Sequence, residues 1–247
     1  MGGNERFERQ MAVEEFYNQI SEKRTLARAA LFSDASRNDR FAAAHSLLKD
    51  LESLCSKMQM QEGAVFTQGI NEFAFALEAA ANSLYRHAYA SLRLSFELML
   101  SAVWFSANRT KLMLWLGGHA DLNWARLVDD DVGVFSTDFL RAFGPTLLGY
   151  KAQYNSLSKA IYREISEMVH GNQTNYLPSE MGIAYQAELV EVFLDKVDSF
   201  KICIFVAYVS RFMGDLGLQE RNDLEHILLD TIGHIPEVKE FFETENG

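Results

Sequence analysis

The sequence predicts an all-α fold, a multi-helix bundle with long central helices. Three observations predict it. Apolar residues recur at steps of three and four through most of the 247 residues, the spacing of one helix face at about 100° per residue. Proline occurs only at positions 145, 178 and 236, each where a helix should start or a loop should run. No Asn-Gly or Asp-Gly pair stands between alternating segments, so a hairpin signal is missing.

Taken in order, residues 5–30 read as a charged amphipathic helix with Phe7, Met11, Phe16 and Ile20 as partial anchors. Residues 36–60 form a second, with Phe41, Leu47, Leu48, Leu51 and Leu54 as its apolar set, and residues 61–69 read as a break. One long helical region runs over 71–108. Tyr85, Ala88, Tyr89, Leu92, Phe96, Met99 and Val103 make a stripe there, and Leu94, Leu98 and Leu100 cover other faces. A helix apolar on most faces is a central one. Arg93 and Glu97, four apart within it, read as an ion pair tying neighbouring helices.

Between 110 and 145 the elements shorten. Residues 111–116 end at Gly117-Gly118, residues 121–128 hold a short helix around Trp124, and Ser136 caps another through Phe139, Leu140 and Phe143. The run Asp129-Asp130-Asp131 reads as solvated loop, because it lacks the alternating ligands and terminal Glu of a calcium loop. Residues 150–172 are one amphipathic helix. Tyr150, Tyr154, Leu157, Ile161, Ile165 and Met168 form its apolar stripe, and Gly171-Asn172 is its stop. After a loop over 173–182 comes a long helix over 186–215, with Leu189, Phe193, Val197, Phe200, Ile204 and Tyr208 on one face. Helices over 220–232 and 236–243 complete the chain. The expected organisation is N-terminal helices over 1–69, a core over 70–215 and C-terminal helices over 216–247, packed as one globular unit.

Composition limits the function. A net charge of −11 disfavours a protein that coats nucleic acid or anionic membrane with Lys and Arg, though it leaves room for a local phosphate site. Cys55 and Cys203 lie within apolar helical patterns and read as buried free thiols of a reducing compartment. The opening MGGNERFERQ is polar, with Arg6 where a myristoylation signal needs Ser or Thr. No stretch reaches the roughly 20 apolar residues of a membrane span. The expected address is bacterial-type cytoplasm, with no membrane partner. Phosphate-loop, zinc-protease, nucleophile-elbow and di-iron motifs are missing. The six histidines, at 45, 87, 119, 170, 226 and 234, are scattered, and His226 and His234 read as surface residues of the tail helix rather than metal ligands.

The remaining candidate constellation is at the end of the 150–172 helix. Arg163 and His170 are seven residues apart, about two turns, so they share a face with only ~20° of drift. Ala152, Lys159, Ser166 and Glu167 lie on the same polar side, away from the apolar stripe. In structural terms Arg163–Glu167 is an ordinary i,i+4 ion pair, worth a few tenths of a kcal/mol, and His170 complements the helix dipole. In functional terms Arg163 and His170 are the constellation that suggests chemistry, and Arg93 with Glu97 would orient the end of their helix.

A bundle of long helices with Arg-x6-His at the end of a late one resembles the HEPN superfamily, the higher eukaryotes and prokaryotes nucleotide-binding domains. The segment YNSLSKAIYREISEMVHGN, with LRLSFELML upstream, is similar to HEPN-like proteins of bacterial defence and toxin systems, over residues 80–215. Glu164 stands where many active members carry Asn, Asp or His. The resemblance implies a metal-independent ribonuclease that works as a homodimer and needs no cofactor. His170 would serve as general acid or base, Arg163 would stabilise the phosphate charge, and the RNA's own 2′-hydroxyl would attack. Arg93, Glu97, Ser166, Glu167 and Asn172 would support the pair. The alternative is a HEPN-like bundle without catalysis that binds a partner protein.

Overall fold

The computed structural model describes residues 2–170 and 183–243, with side chains from residue 9 onward. These residues hold eleven α-helices and no strand. The architecture is organised around α4 (Tyr85–Ala107), whose Leu92, Phe96, Met99 and Val103 are fully enclosed. Against it pack α3 (Met60–Ala81), α8 (Lys151–Val169) and α9 (Ala187–Phe212). Outside these lie α2 (Ala35–Cys55), on α3 and α9, and α10 (Leu218–Ile232), on α9 and α2, with α11 (Pro236–Glu243) on α10. The short helices α5 (Arg109–Leu116) and α6 (Trp124–Leu127) pack on α4, and α7 (Thr137–Phe143) packs on α9. α1 (Gly2–Ser33) precedes them all.

The apolar stripes predict the packing well. Tyr154, Ile161 and Ile165 of α8 are buried, with Tyr150, Leu157 and Met168 half-buried against the core. On α9, Phe193, Val197, Phe200, Ile204 and Tyr208 are buried, and the second half of the helix is enclosed almost all round. Ser136 caps α7 as its position suggests, its hydroxyl accepting from the Phe139 N–H at 3.2 Å. Ionic ties join α2 to α9, where Arg40 reaches Glu191, Asp195 and Asp198 at 2.6, 2.9 and 2.8 Å.

The structure corrects several expectations. Residues 61–69 are not a break but the first half of α3, so the boundary expected at 69 falls inside a helix. Gly63 and Gly69 suggest a loop in the sequence, but Gly69 serves packing. A Cβ there would lie 2.6 Å from Met99 Cγ, and the Ser95 hydroxyl donates to the Gly69 carbonyl at 2.8 Å. The helix expected over 71–108 is two helices that fold back on each other at 82–84. There Ser83 takes a left-handed φ of 58°. The Leu84 N–H reaches back to the Ala79 carbonyl at 2.8 Å and the Ser83 N–H to Ala80 at 3.0 Å, a Schellman stop with serine in the position usually given to glycine. Arg28 on α1 holds the corner by donating to Asn82 Oδ1 at 2.9 Å.

The first helix is anchored late. Met11 and Phe16 are exposed and Ile20 only half-buried, whereas Ala27 and Leu31 are buried. Gly171, the 173–182 loop, Pro178 and the side chain of Phe7 lie outside what is described. The acidic run is not merely solvated. Asp129 folds over the N–H groups of Asp131 and Val132 at 2.9 and 3.0 Å, while Asp130 accepts from Asn155 Nδ2 at 2.7 Å and so ties this segment to α8. Cys203 is buried but Cys55 only half-buried, and both are free thiols. His234 lies past the end of α10 and shares a hydrogen bond with the Tyr154 hydroxyl at 3.2 Å. Among the described residues no helix is long and apolar enough to cross a membrane.

Candidate functional site

Four residues at the meeting of α4, α6 and α8 set the site. The Tyr162 hydroxyl donates to Glu97 Oε1 at 2.6 Å and accepts from Arg93 Nε at 3.0 Å. Arg93 Nε also donates to Glu97 Oε1 at 3.1 Å. Trp124 of α6 stacks flat on the Tyr162 ring, with centroids 3.8 Å apart and planes 7° from parallel. Burial and then the Glu97 hydrogen bond push the Tyr162 phenol up to about 12. Burial opposes the Arg93 charge, but Tyr162 and Glu97 outweigh it and hold the guanidinium above its ordinary range. The Arg93–Glu97 pair therefore does what the sequence suggests, tying α4 to α8. It acts through Tyr162 and Trp124, which the periodicity places on the helices without revealing their contacts.

Tyr162 precedes Arg163, so the cluster pins α8 one residue before the catalytic candidate. The helical screw then carries the chain to the groove. Val169 is seven residues after Tyr162 and returns to the same side, where it lines a shallow groove of about 220 Å³ with Ala90, Arg93, Leu94 and Glu97. Tyr162 meets Glu97 and Val169 meets Ala90, so α4 and α8 run antiparallel here. Arg163 and His170 each come one residue later, about 100° further round the helix. Both are exposed. Lys159, one turn before Arg163 on α8, is exposed and pairs with Asp130 at 3.4 Å. Arg86, one turn before Ala90 on α4, is exposed and is not marked by the sequence pattern.

His170 is the C-cap of α8, its N–H bonded to the Ser166 carbonyl at 3.0 Å. Its φ of −74° is close to helical and only its ψ of 139° departs, so the Cβ still follows the helical screw and shares the face of Arg163. Ser166, half-buried, turns back along its own helix and donates to the Tyr162 carbonyl at 2.7 Å. Glu167 lies 3.7 Å from Arg163, with side chains 54% and 76% exposed. Such a pair is screened and weak, so Arg163 can exchange it for another anion at little cost. Glu164 faces the other way and is taken by Lys196 of α9. Asn172 lies outside the described residues.

The structure thus brings Arg163, His170, Arg93, Glu97, Ser166 and Glu167 to one end of α8. Arg93 and Glu97 are committed to Tyr162, and Arg163 and His170 face solvent. In one copy of the chain this face is open to water, so strong electrostatic stabilisation of a reacting phosphate requires a second surface to cover it. Among the described residues no group of three His, Cys, Asp or Glu side chains could hold a metal ion. Comparison with protein-family models, with curated proteins and with solved structures found no significant match.

Proposed function

We propose that this protein is a metal-independent endoribonuclease of the HEPN type, acting as a homodimer in the cytoplasm as a toxin or antiviral effector. The observation that carries the reading is the joint exposure of Arg163 and His170 on one face of α8, each next in sequence to a residue that packs toward Arg93 and Glu97 of α4, Tyr162 and Val169. Two copies paired across this face would enclose two arginines and two histidines around one phosphodiester. One His170 takes the proton of the 2′-hydroxyl, whose oxygen attacks the adjacent phosphorus. The other His170 protonates the departing 5′-oxygen. Arg163 supports the charge that develops on the phosphoryl oxygens. The products are a 2′,3′-cyclic phosphate and a 5′-hydroxyl end.

A second reading, a bundle that binds a partner protein without catalysis, is favoured by the carboxylate of Glu167 beside Arg163. RNA cleavage by purified protein in EDTA separates the two. Wild type should cut, and His170→Ala and Arg163→Ala should each abolish cutting. Both side chains are exposed, so both variants should keep wild-type stability within about 0.5 kcal/mol. A wild type that is inert, or variants that cut equally well, rejects the nuclease and leaves the partner-binding bundle.

A further inference from the structure

A second site lies at the opposite end of α4, where α5 and α6 fold back over its last turns. They line a cavity of about 250 Å³, a little below the roughly 300 Å³ at which small-molecule sites begin, so it suits a small ligand. Its walls are aromatic. Trp104 and Phe105 of α4 are buried, and Trp115 of α5 continues the same surface, with ring centroids 5.6 Å apart for the first pair and 5.8 Å for the second. The polar edge of Trp104 is already satisfied, its Nε1 donating to the Val132 carbonyl at 2.7 Å, so what Trp104 adds to the wall is ring surface.

Three polar features turn this apolar space into a recognition site. Ser101 lines it, is fully buried, and its hydroxyl has no hydrogen-bond partner. A helical serine ordinarily bonds the carbonyl four residues back, and a buried hydroxyl left unpaired is costly. At the mouth stand Lys111, half-buried, and Arg126, exposed. Among the described residues Lys111 forms no ion pair. In a chain with 34 acidic and 23 basic residues, Lys111 and Arg126 line this small cavity with one carboxylate, Asp121; Asp129 acts on Arg126 from outside the lining, which leaves Lys111 as the cation without an acidic partner among the described residues.

The geometry points to a binding site for a small molecule with a flat aromatic body and one anionic head, the body between Trp104, Phe105 and Trp115 and the head at Lys111 and Arg126. No residue of α8 lines the cavity, and the proposal does not depend on nuclease activity.

Tryptophan fluorescence tests it directly, because two of the chain's three tryptophans are walls of the cavity and the third, Trp124, is on α6. The full chain is titrated with 2-naphthoate, 2-naphthyl phosphate and the neutral 2-naphthamide. At least one anion should quench saturably at one site per chain and bind more tightly than the amide, and the tighter of the two identifies the head group as carboxylate or phosphate. Lys111→Gln should weaken that anion about tenfold, the loss of one charge-assisted hydrogen bond, and leave the amide unchanged. Asp121→Asn should tighten the anion. Absence of saturable quenching by both anions, equal affinity for the amide, or indifference of anion binding to both substitutions overturns the proposal.

Discussion

Replacing Tyr162 by phenylalanine removes one oxygen from the cluster that holds α8 to α4. The ring remains, so the stack on Trp124 is kept. What disappears is the donation to Glu97 and the acceptance from Arg93. A hydrogen bond to a charged group contributes about 1.5–3 kcal/mol. Here Glu97 and Arg93 keep each other at 3.1 Å, with side chains 17% and 30% exposed, so water replaces part of what is lost. The expected destabilisation is about 1–2 kcal/mol. In urea this lowers the unfolding midpoint by about half a molar without changing the slope. Tyr162→Leu, which also destroys the stack, should lose about another 0.5–1.5 kcal/mol for the aromatic contact, apart from lost burial. A double-mutant cycle of Tyr162→Phe with Glu97→Ala should show a coupling of about 1 kcal/mol. A Tyr162→Phe midpoint indistinguishable from wild type, or a cycle with no coupling, refutes the idea that this hydroxyl locks the two helices.

The packing sets two further outcomes. Gly69→Ala should destabilise by about 1–3 kcal/mol despite the better helix propensity of alanine, because the new methyl meets buried Met99; a gain in thermal stability would contradict the close approach of α3 and α4. Stability should also fall in alkali. Burial pushes Cys203 up to about 12 from its ordinary 9, Tyr162 up to about 12 from 10, and Tyr89 and Tyr208 higher still. The folded state holds these groups neutral while the unfolded chain ionises near 9 and 10. Their contribution is therefore complete below about pH 9 and lost as pH rises toward about 12. Urea midpoints at about pH 8 and about pH 11 check the sign.

The helices themselves were legible because most bury an apolar stripe: on α8 the stripe names the buried Tyr154, Ile161 and Ile165, and on α9 it names Phe193, Val197, Phe200, Ile204 and Tyr208, though α9 buries many more residues than its stripe. The corner at Ser83 was not legible. A left-handed stop usually announces itself with glycine, as at Gly118 with φ of 69°, but here a buried serine takes the position and Asn82 and Arg28 hold it. Gly69 misled in the opposite sense, since a glycine chosen for close helix contact looks the same in sequence as one chosen for a turn. At the candidate site, spacing alone put Arg163 and His170 on one face and paired Arg93 with Glu97. Tyr162 and Trp124, 38 residues apart, meet only through the path of the chain, and no periodicity records that. The cavity at the far end of α4 escaped for the same reason: its walls come from three separate elements.

The late anchoring of α1 has a consequence for cooperativity. From residue 9 through 19 every side chain is exposed, and the apolar body begins to hold the helix only around Ile20, Ala27 and Leu31. Helix that rests on no packing is governed by helix–coil statistics, and its unwinding exposes little new apolar area. It should add little to the heat capacity of unfolding or to its denaturant dependence. All three tryptophans lie in the body, at 104, 115 and 124. Backbone circular dichroism counts the arm and indole fluorescence does not, so the two signals follow different lengths of one chain as it melts.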